Sequence, residues 1–493
     1  MAGEGGAVPN GGELHVNGIE AETGRPLPLP GDDAGSRIAA VAAGSHAKTE
    51  AEKLSLRNPG PGAGLESFGV DSSVDNPEEL DQAGWGILFP ADFEAGPIKE
   101  ALAPLLERRK QEAGALFHVF EGTQGVQRGE SATDWLARQG EGPGLAAVDP
   151  TRGVPFYIMI VAPPDAIPMS FQYLLDIFWA VGRLHFENLD DYSRYAAAIV
   201  EYETTEVLPQ TSKRAALFAT EHPGDGATSM FTRDVAAPFL DTTGAARPLG
   251  RKQGFSVAPV MGANATKAGL LGAMRGDGAG APALLFSGTH GMSFRKGNPR
   301  QAACQGALVC QDWEGFGAIK EDDWFSASDV PADLRLNGMV HFLFACYGGG
   351  WESFDTFRDG PDGTAQQIAD RPGMSQLPQA ILSRGAMCVV AHVDRAWSYS
   401  FRTPNGKPQS APIRDVLTRI MQGSRVGNAL DQFNAQWAAL SVPIADKLRD
   451  FQTQSATGKE LAHLWIARDD VRNYTVLGDP AARVRVDRMT SGI

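Results

Sequence analysis

Cysteine is scarce in this chain: four thiols, Cys304, Cys310, Cys346 and Cys388, in 493 residues. That is too few for a disulfide framework at this length and suits a reducing compartment where a thiol stays free. Cys304 and Cys310 have no second pair and no histidine ligand nearby, so no metal site is expected of them. Basic runs are also lacking, and the formal net charge is −15. Nucleic-acid binding needs basic patches to neutralise phosphates, so the balance argues against it. No apolar run approaches the ~18–20 residues that cross a bilayer, so no membrane span is expected. The opening residues have neither the basic nor the apolar stretch of a secretory signal, which makes the cytoplasm the expected location. Two catalytic signatures are missing as well. Gly348-Gly349-Gly350 has no following lysine to make a phosphate loop, and no Gly-x-Ser-x-Gly elbow offers a serine nucleophile.

What is present reads as a soluble globular protein, 43% apolar and 21% charged, too long for one hydrophobic core. Residues 1–78 are rich in Gly, Ala, Pro, Ser and Glu without sustained periodicity, and are expected to be largely disordered. Two stretches within them, residues 14–19 and 26–30, are apolar enough to dock on a folded body. From Gly84 the pattern changes. Trp85-Gly86-Ile87-Leu88-Phe89 reads as a buried strand and residues 97–114 as a helix; residues 156–162 form a second apolar strand, and residues 189–202 an amphipathic helix. This delimits a first α/β unit over 79–205. The remainder, 206–493, repeats the pattern, with strands expected at 215–220, 283–288, 339–346 and 386–392 and helices at 230–240 and 376–384. Alternating buried strands and helices predict mostly parallel sheets covered on both faces, and hence two α/β/α units. Ligands in such sheets sit beyond the carboxyl ends of the strands.

Two strand ends there carry chemistry: Gly288-Thr289-His290-Gly291 and Phe344-Ala345-Cys346-Tyr347-Gly348. A thiol with a pKa near 8.5 needs a neighbouring imidazole to become a thiolate and later to protonate a leaving amine. His290 fits that part, and its spacing of 56 residues from Cys346 is close to the roughly 50 of caspases. Acyl transfer also needs backbone N–H groups aimed at the developing oxyanion, for which Gly291 and Cys346 are the candidates. The glycines after Cys346 would place it on an open turn. Each piece has a plainer reading, a buried core cysteine and a turn histidine; the two at neighbouring strand tips point to catalysis. His341, His392 and Cys388 read as structural.

Together these segments resemble the gingipain-like cysteine peptidases, relatives of caspases. The resemblance runs from about residue 155 to 486. It is carried by the strand 156–162 with the following Ile167-Pro168, by Val181-Gly182-Arg183, by Ser287-Gly288-Thr289-His290-Gly291, by Phe344-Ala345-Cys346-Tyr347 and by Leu477-Gly478-Asp479-Pro480. It implies a pair of α/β/α sandwich subdomains with mostly parallel sheets, the second caspase-like and catalytic. It also implies an endopeptidase with a His290–Cys346 dyad that acts on protein or peptide substrates and requires no cofactor. By the same resemblance Trp397 would wall the primary specificity pocket. Asp394 is the candidate for contacting a basic side chain before the cut. Gingipains are secreted and this chain shows no export signal, so an intracellular, regulated protease is expected. Arg25, Arg37, Lys48 and Arg57 suggest that the N-terminal segment restrains the enzyme and is cut or displaced, by the enzyme itself or by a regulatory partner. The alternative is a non-catalytic caspase-like scaffold serving as an interaction module.

Overall fold

A computed structural model of the chain describes residues 14–31, 34–42, 70–71, 74–141, 147–208, 212–243, 248–276, 278–359, 365–452 and 458–493. Lys48 and Arg57 lie outside the described residues, as do 1–13 and 43–69 of the N-terminal segment.

The apolar runs become strands of one mixed sheet. In chain order these are β2 (Trp85–Leu88), β3 (Phe117–Phe120), β4 (Tyr157–Val161), β5 (Ala180–Leu184), β6 (Arg214–Ala219), β7 (Ser256–Met261), β8 (Leu284–Gly288), β12 (Val340–Phe344), β13 (Cys388–His392) and β14 (Tyr474–Gly478). The numbers β1 and β9 to β11 belong to a smaller sheet of Gly18–Glu20, Gly291–Ser293, Leu308–Val309 and Trp324–Phe325, in that order. The large sheet has ten strands ordered β3-β2-β4-β5-β14-β13-β12-β8-β6-β7. Every neighbouring pair in it is parallel except β13 and β14. The two expected α/β units are therefore joined edge to edge, and the strands of each half end on opposite rims. β6, β8, β12 and β13 all point their carboxyl ends at one rim.

The join is built from two of the recurring segments. On β5, a Cβ at Gly182 would lie 2.3 Å from the Gly478 carbonyl oxygen, so only glycine permits that approach. Just after β14, the buried Asp479 accepts from Trp85 Nε1 at 3.0 Å and from Arg109 Nε at 2.7 Å. Arg109 is fully buried and is also paired with Glu203 and Glu112. Val-Gly-Arg and Leu-Gly-Asp-Pro thus fasten one half to the other.

Prolines reshape two of the expected helices. The 97–114 helix divides at Leu102 into Gly96–Ala101 and Ala103–Ala113, with Pro104 opening the second; proline has no N–H and crowds the preceding turn. The 230–240 helix begins earlier, as Gly226–Phe231, and passes through a π turn, Thr232–Ala236, before Ala237–Leu240 with its Pro238.

Of the N-terminal segment read as largely disordered, residues 14–31 and 34–42 are folded onto the body. β1 pairs in parallel with β9. Ile19 and Ala21 are buried with Met292, Phe294, Val309, Trp313 and Trp324 in an apolar cluster of their own, while Val16 and Leu27 join the main core. Helix Ala34–Ala42 packs on helix Gly458–Arg472. Burial of these side chains, together with backbone pairing to β9, outweighs the entropy of a free tail.

Candidate active site

β8 and β12 are adjacent and in register, Gly288 opposite Phe344, so the residues just beyond them are neighbours. Thr289 N donates to Phe344 O at 3.1 Å, and its hydroxyl donates to Val309 O at 2.6 Å. This pins the turn that carries His290. The imidazole is fully buried, with Nε2 2.8 Å from Asp225 Oδ2. Its Nδ1 has no hydrogen-bond partner among the described residues.

Asp225 comes from the loop after β6, the third strand ending on this rim. It caps helix Gly226–Phe231 through the N–H groups of Ala227 and Thr228. Burial alone would raise its pKa, but the His290 charge and hydrogen bond, with Thr228, hold it well below the usual carboxylate range. His222, three residues beyond the strand end at Ala219, stacks beside His290 with ring centroids 6.5 Å apart. Burial, and then the His290 charge, lowers its pKa to about 4.

Beyond β12, Cys346 Sγ accepts from Ala396 N at 3.1 Å. The thiol is not on an open turn. It is fully buried, and Tyr347, at φ +57°, takes the left-handed position expected of the glycines. Gly348 serves close packing instead: a Cβ there would come within 2.3 Å of Leu343 Cδ2. Burial raises the Cys346 pKa well above its ordinary value, with the Ala396 backbone and Arg395 opposing the shift.

The covering layer is the N-terminal segment. The Asn17 carbonyl oxygen accepts two hydrogen bonds, from Gly291 N and from Cys346 N, each 2.9 Å. Asn17 N donates to Ala396 O at 2.9 Å, Ser398 N donates to His15 O at 2.9 Å, and Val16 bridges Trp397 antiparallel. Residues 15–17 therefore lie antiparallel along 396–398, joined at an isolated bridge. Next in the chain, a Cβ on Gly18 would lie 2.6 Å from Cys346 Sγ. A cleft of ≈ 580 Å³, lined in part by Phe93, His185, Trp351 and Arg371, includes neither His290 nor Cys346.

Trp397 and Asp394 lie in the same wall. Trp397 is buried, contributes its backbone to the Val16 bridge, and leaves its indole N–H without a partner among the described residues. Asp394 takes a left-handed φ of +83° and accepts from Tyr347 N through its carbonyl. Its carboxylate accepts from Arg395 N at 2.8 Å, and burial pushes its pKa up to about 7. Arg395 is itself ion-paired with Asp355. His392 is bonded to Asp470, His341 to Ser287, and Cys388 Sγ contacts Asp479 O. No cluster among the described residues could hold a metal ion.

Asp225, His222, Asn17 and Gly18 went unread in the sequence. The strand-tip rule that picks out His290 and Cys346, applied to β6, reaches Glu221-His222-Pro223-Gly224-Asp225. Asn17 carries no such signal beyond its place in a stretch apolar enough to dock.

No family model matches the chain, and no curated protein does. Among solved structures it is similar to the Arg-specific cysteine proteinase gingipain R, with a TM-score of 0.47 and 14% identity over 85% of this chain and 81% of that one. For the complex of the pro- and mature domains of RgpB from Porphyromonas gingivalis the values are 0.45 and 13%, over 82% and 80%. The separase–securin complex of Saccharomyces cerevisiae gives 0.32 and 9%, over 91% of this chain and 27% of that one. The likeness is one of fold.

Proposed function

We propose that the chain is a cysteine endopeptidase in which Cys346 is the nucleophile, His290 the acid/base and Asp225 the group that orients the imidazole. One observation carries this reading: two backbone N–H groups, of Gly291 and Cys346, converge on a single peptide carbonyl oxygen beside the thiol. That is the geometry an oxyanion hole requires.

The hydrogen bonds also set the proton traffic. His290 Nε2 lies against the Asp225 carboxylate, so the neutral ring carries its proton there and leaves the Nδ1 lone pair to take the proton of Cys346. The thiolate attacks the carbonyl carbon, and the oxyanion rests on Gly291 N–H and Cys346 N–H. As the C–N bond breaks, the leaving amine takes its proton from Nδ1; water then hydrolyses the thioester, with His290 as base. Asp225 stabilises the transient imidazolium.

Residues 206–493 form the catalytic unit in this reading, and 79–205 support it through the β5–β14 join. Trp397 and Ser398 offer the strand edge that receives the residues before the cut. Asp394 shapes that edge through its backbone. Four unpaired thiols suit an intracellular, regulated enzyme. No helix among the described residues is long and apolar enough to cross a membrane.

The test is turnover of an unfolded protein by the parent chain and by Cys346→Ala. Hydrolysis by the parent should fall to background in the variant while its circular dichroism is unchanged; equal hydrolysis by both removes Cys346 from the chemistry.

A further inference from the structure

We infer that the Asn17–Gly18 peptide bond is this enzyme's own first substrate, and that the position before the cut takes asparagine. The inference rests on the peptidase reading above and adds to it the bond, the residue and the consequence.

The N-terminal segment lies as a peptide awaiting acyl transfer lies. Its Asn17 carbonyl oxygen sits on the Gly291 and Cys346 N–H groups, and residues 15–17 pair antiparallel with 396–398. Gly18 follows immediately against Sγ, where no side chain would fit. The Asn17 side chain is fully buried, with Nδ2 3.4 Å from Thr289 O. Its Oδ1 has no hydrogen-bond partner among the described residues, so an aspartate there would carry an uncompensated charge. A basic residue is not what the site holds. Arg25, suggested by the sequence as a cut site, is exposed and lies seven residues beyond Gly18.

The step balances without a co-reactant other than water. Cys346 Sγ bonds to the Asn17 carbonyl carbon, the Asn17–Gly18 C–N bond breaks, and the Gly18 amine leaves with the proton His290 took from the thiol. Water then displaces Sγ, giving a carboxylate on Asn17 and restoring the thiol.

The two products are held unequally. Gly18 onwards stays anchored by β1 pairing with β9 and by burial of Ile19, Ala21 and Leu27. Up to Asn17, the described residues are held by the pairing of 15–17 with 396–398, by burial of Val16 and by the Asn17 bonds, with no strand such as β1 among them. Cleavage removes the covalent link to β1, and release of residues 1–17 would open the acyl side of the groove to other substrates. Self-cleavage is in this sense an activating event.

The experiment follows the intact mass of the full chain, of Cys346→Ala and of Asn17→Ala in reducing buffer over hours. The parent should convert to a species beginning at Gly18 and a 17-residue peptide ending in a free Asn17 carboxylate. Cys346→Ala should stay whole, and any ageing intrinsic to Asn-Gly would appear in it too and be subtracted. Asn17→Ala should cut at least tenfold more slowly. In a second arm, the processed parent receives quenched peptides containing His-Val-Asn-Gly or His-Val-Arg-Gly and should prefer the first at least tenfold. A parent that stays intact, a Cys346-dependent cut elsewhere such as after Arg25, or preference for the arginine peptide overturns this inference and leaves the peptidase reading standing where any Cys346-dependent hydrolysis is seen. Absence of Cys346-dependent hydrolysis from both arms overturns the two together.

Discussion

Asp225 is the residue on which the His290 geometry turns, because its carboxylate meets Nε2 and Nδ1 is left without a hydrogen-bond partner among the described residues; in the proposed mechanism that nitrogen serves the thiol. Asp225→Asn keeps the shape and can still accept one bond, but it no longer stabilises an imidazolium. Turnover should fall ~10²–10⁴-fold with KM nearly unchanged, as for other positioned acid/base groups; unchanged turnover would release Asp225 from the role. His222 next to it gives a pH signature. Its pKa is about 4 in the folded chain against an ordinary 6.5. Between those values the unfolded chain binds a proton that the folded chain refuses, so stability rises with pH across the window and is lost as pH falls through it. The urea midpoint of the parent should climb from pH 4 to 6.5 more steeply than that of His222→Phe, and equal slopes would contradict the assignment. At this scale the sequence was partly legible. His290 and Cys346 announce themselves because a strand tip is where side chains with chemistry stand, whereas Asp225 announces itself only once β6 is known to end on the same rim.

Among the elements, β1 decides whether the thiol is reachable. Its fit depends on Gly18, where a Cβ would fall 2.6 Å from Sγ and 2.8 Å from the Cys346 Cβ. Gly18→Val should lift residues 15–18 from the groove, return the thiol toward its ordinary pKa and speed its alkylation by iodoacetamide at least tenfold. An unchanged rate, read at Cys346 by peptide mass, would mean that something other than β1 seals it. Six of the ten strands of the large sheet were legible from their apolar runs, with ends shifted by one or two residues. β1 was not, because a three-residue strand in a Gly- and Pro-rich segment has no period to detect, and its order comes from β9, which lies far along the chain.

For the whole molecule, the decisive feature is the join of the two halves at β5 and β14. Asp479 is the staple, tying the fully buried Arg109 to Trp85 of β2. Asp479→Ala removes one partner of a buried ion network, a loss of about 3–5 kcal/mol, and should lower the urea midpoint accordingly; a variant as stable as the parent would show that the packing at Gly182 and Gly478 holds the join unaided. The alternation of strands and helices foretold two mostly parallel units. It did not foretell that the last strand enters between them, antiparallel to β13 and parallel to β5. Strand order depends on contacts between segments hundreds of residues apart, which no local pattern encodes.

The proposed chemistry depends on one imidazole and one sulfur acting together. Labelling the full chain with a peptidyl acyloxymethyl ketone and mapping the adduct by peptide mass addresses this directly. A single adduct on Cys346, lost in His290→Ala, is the expected result. An adduct spread over Cys304 and Cys388 as readily as Cys346, or one on Cys346 that persists without His290, would instead mark the fold as a binding scaffold.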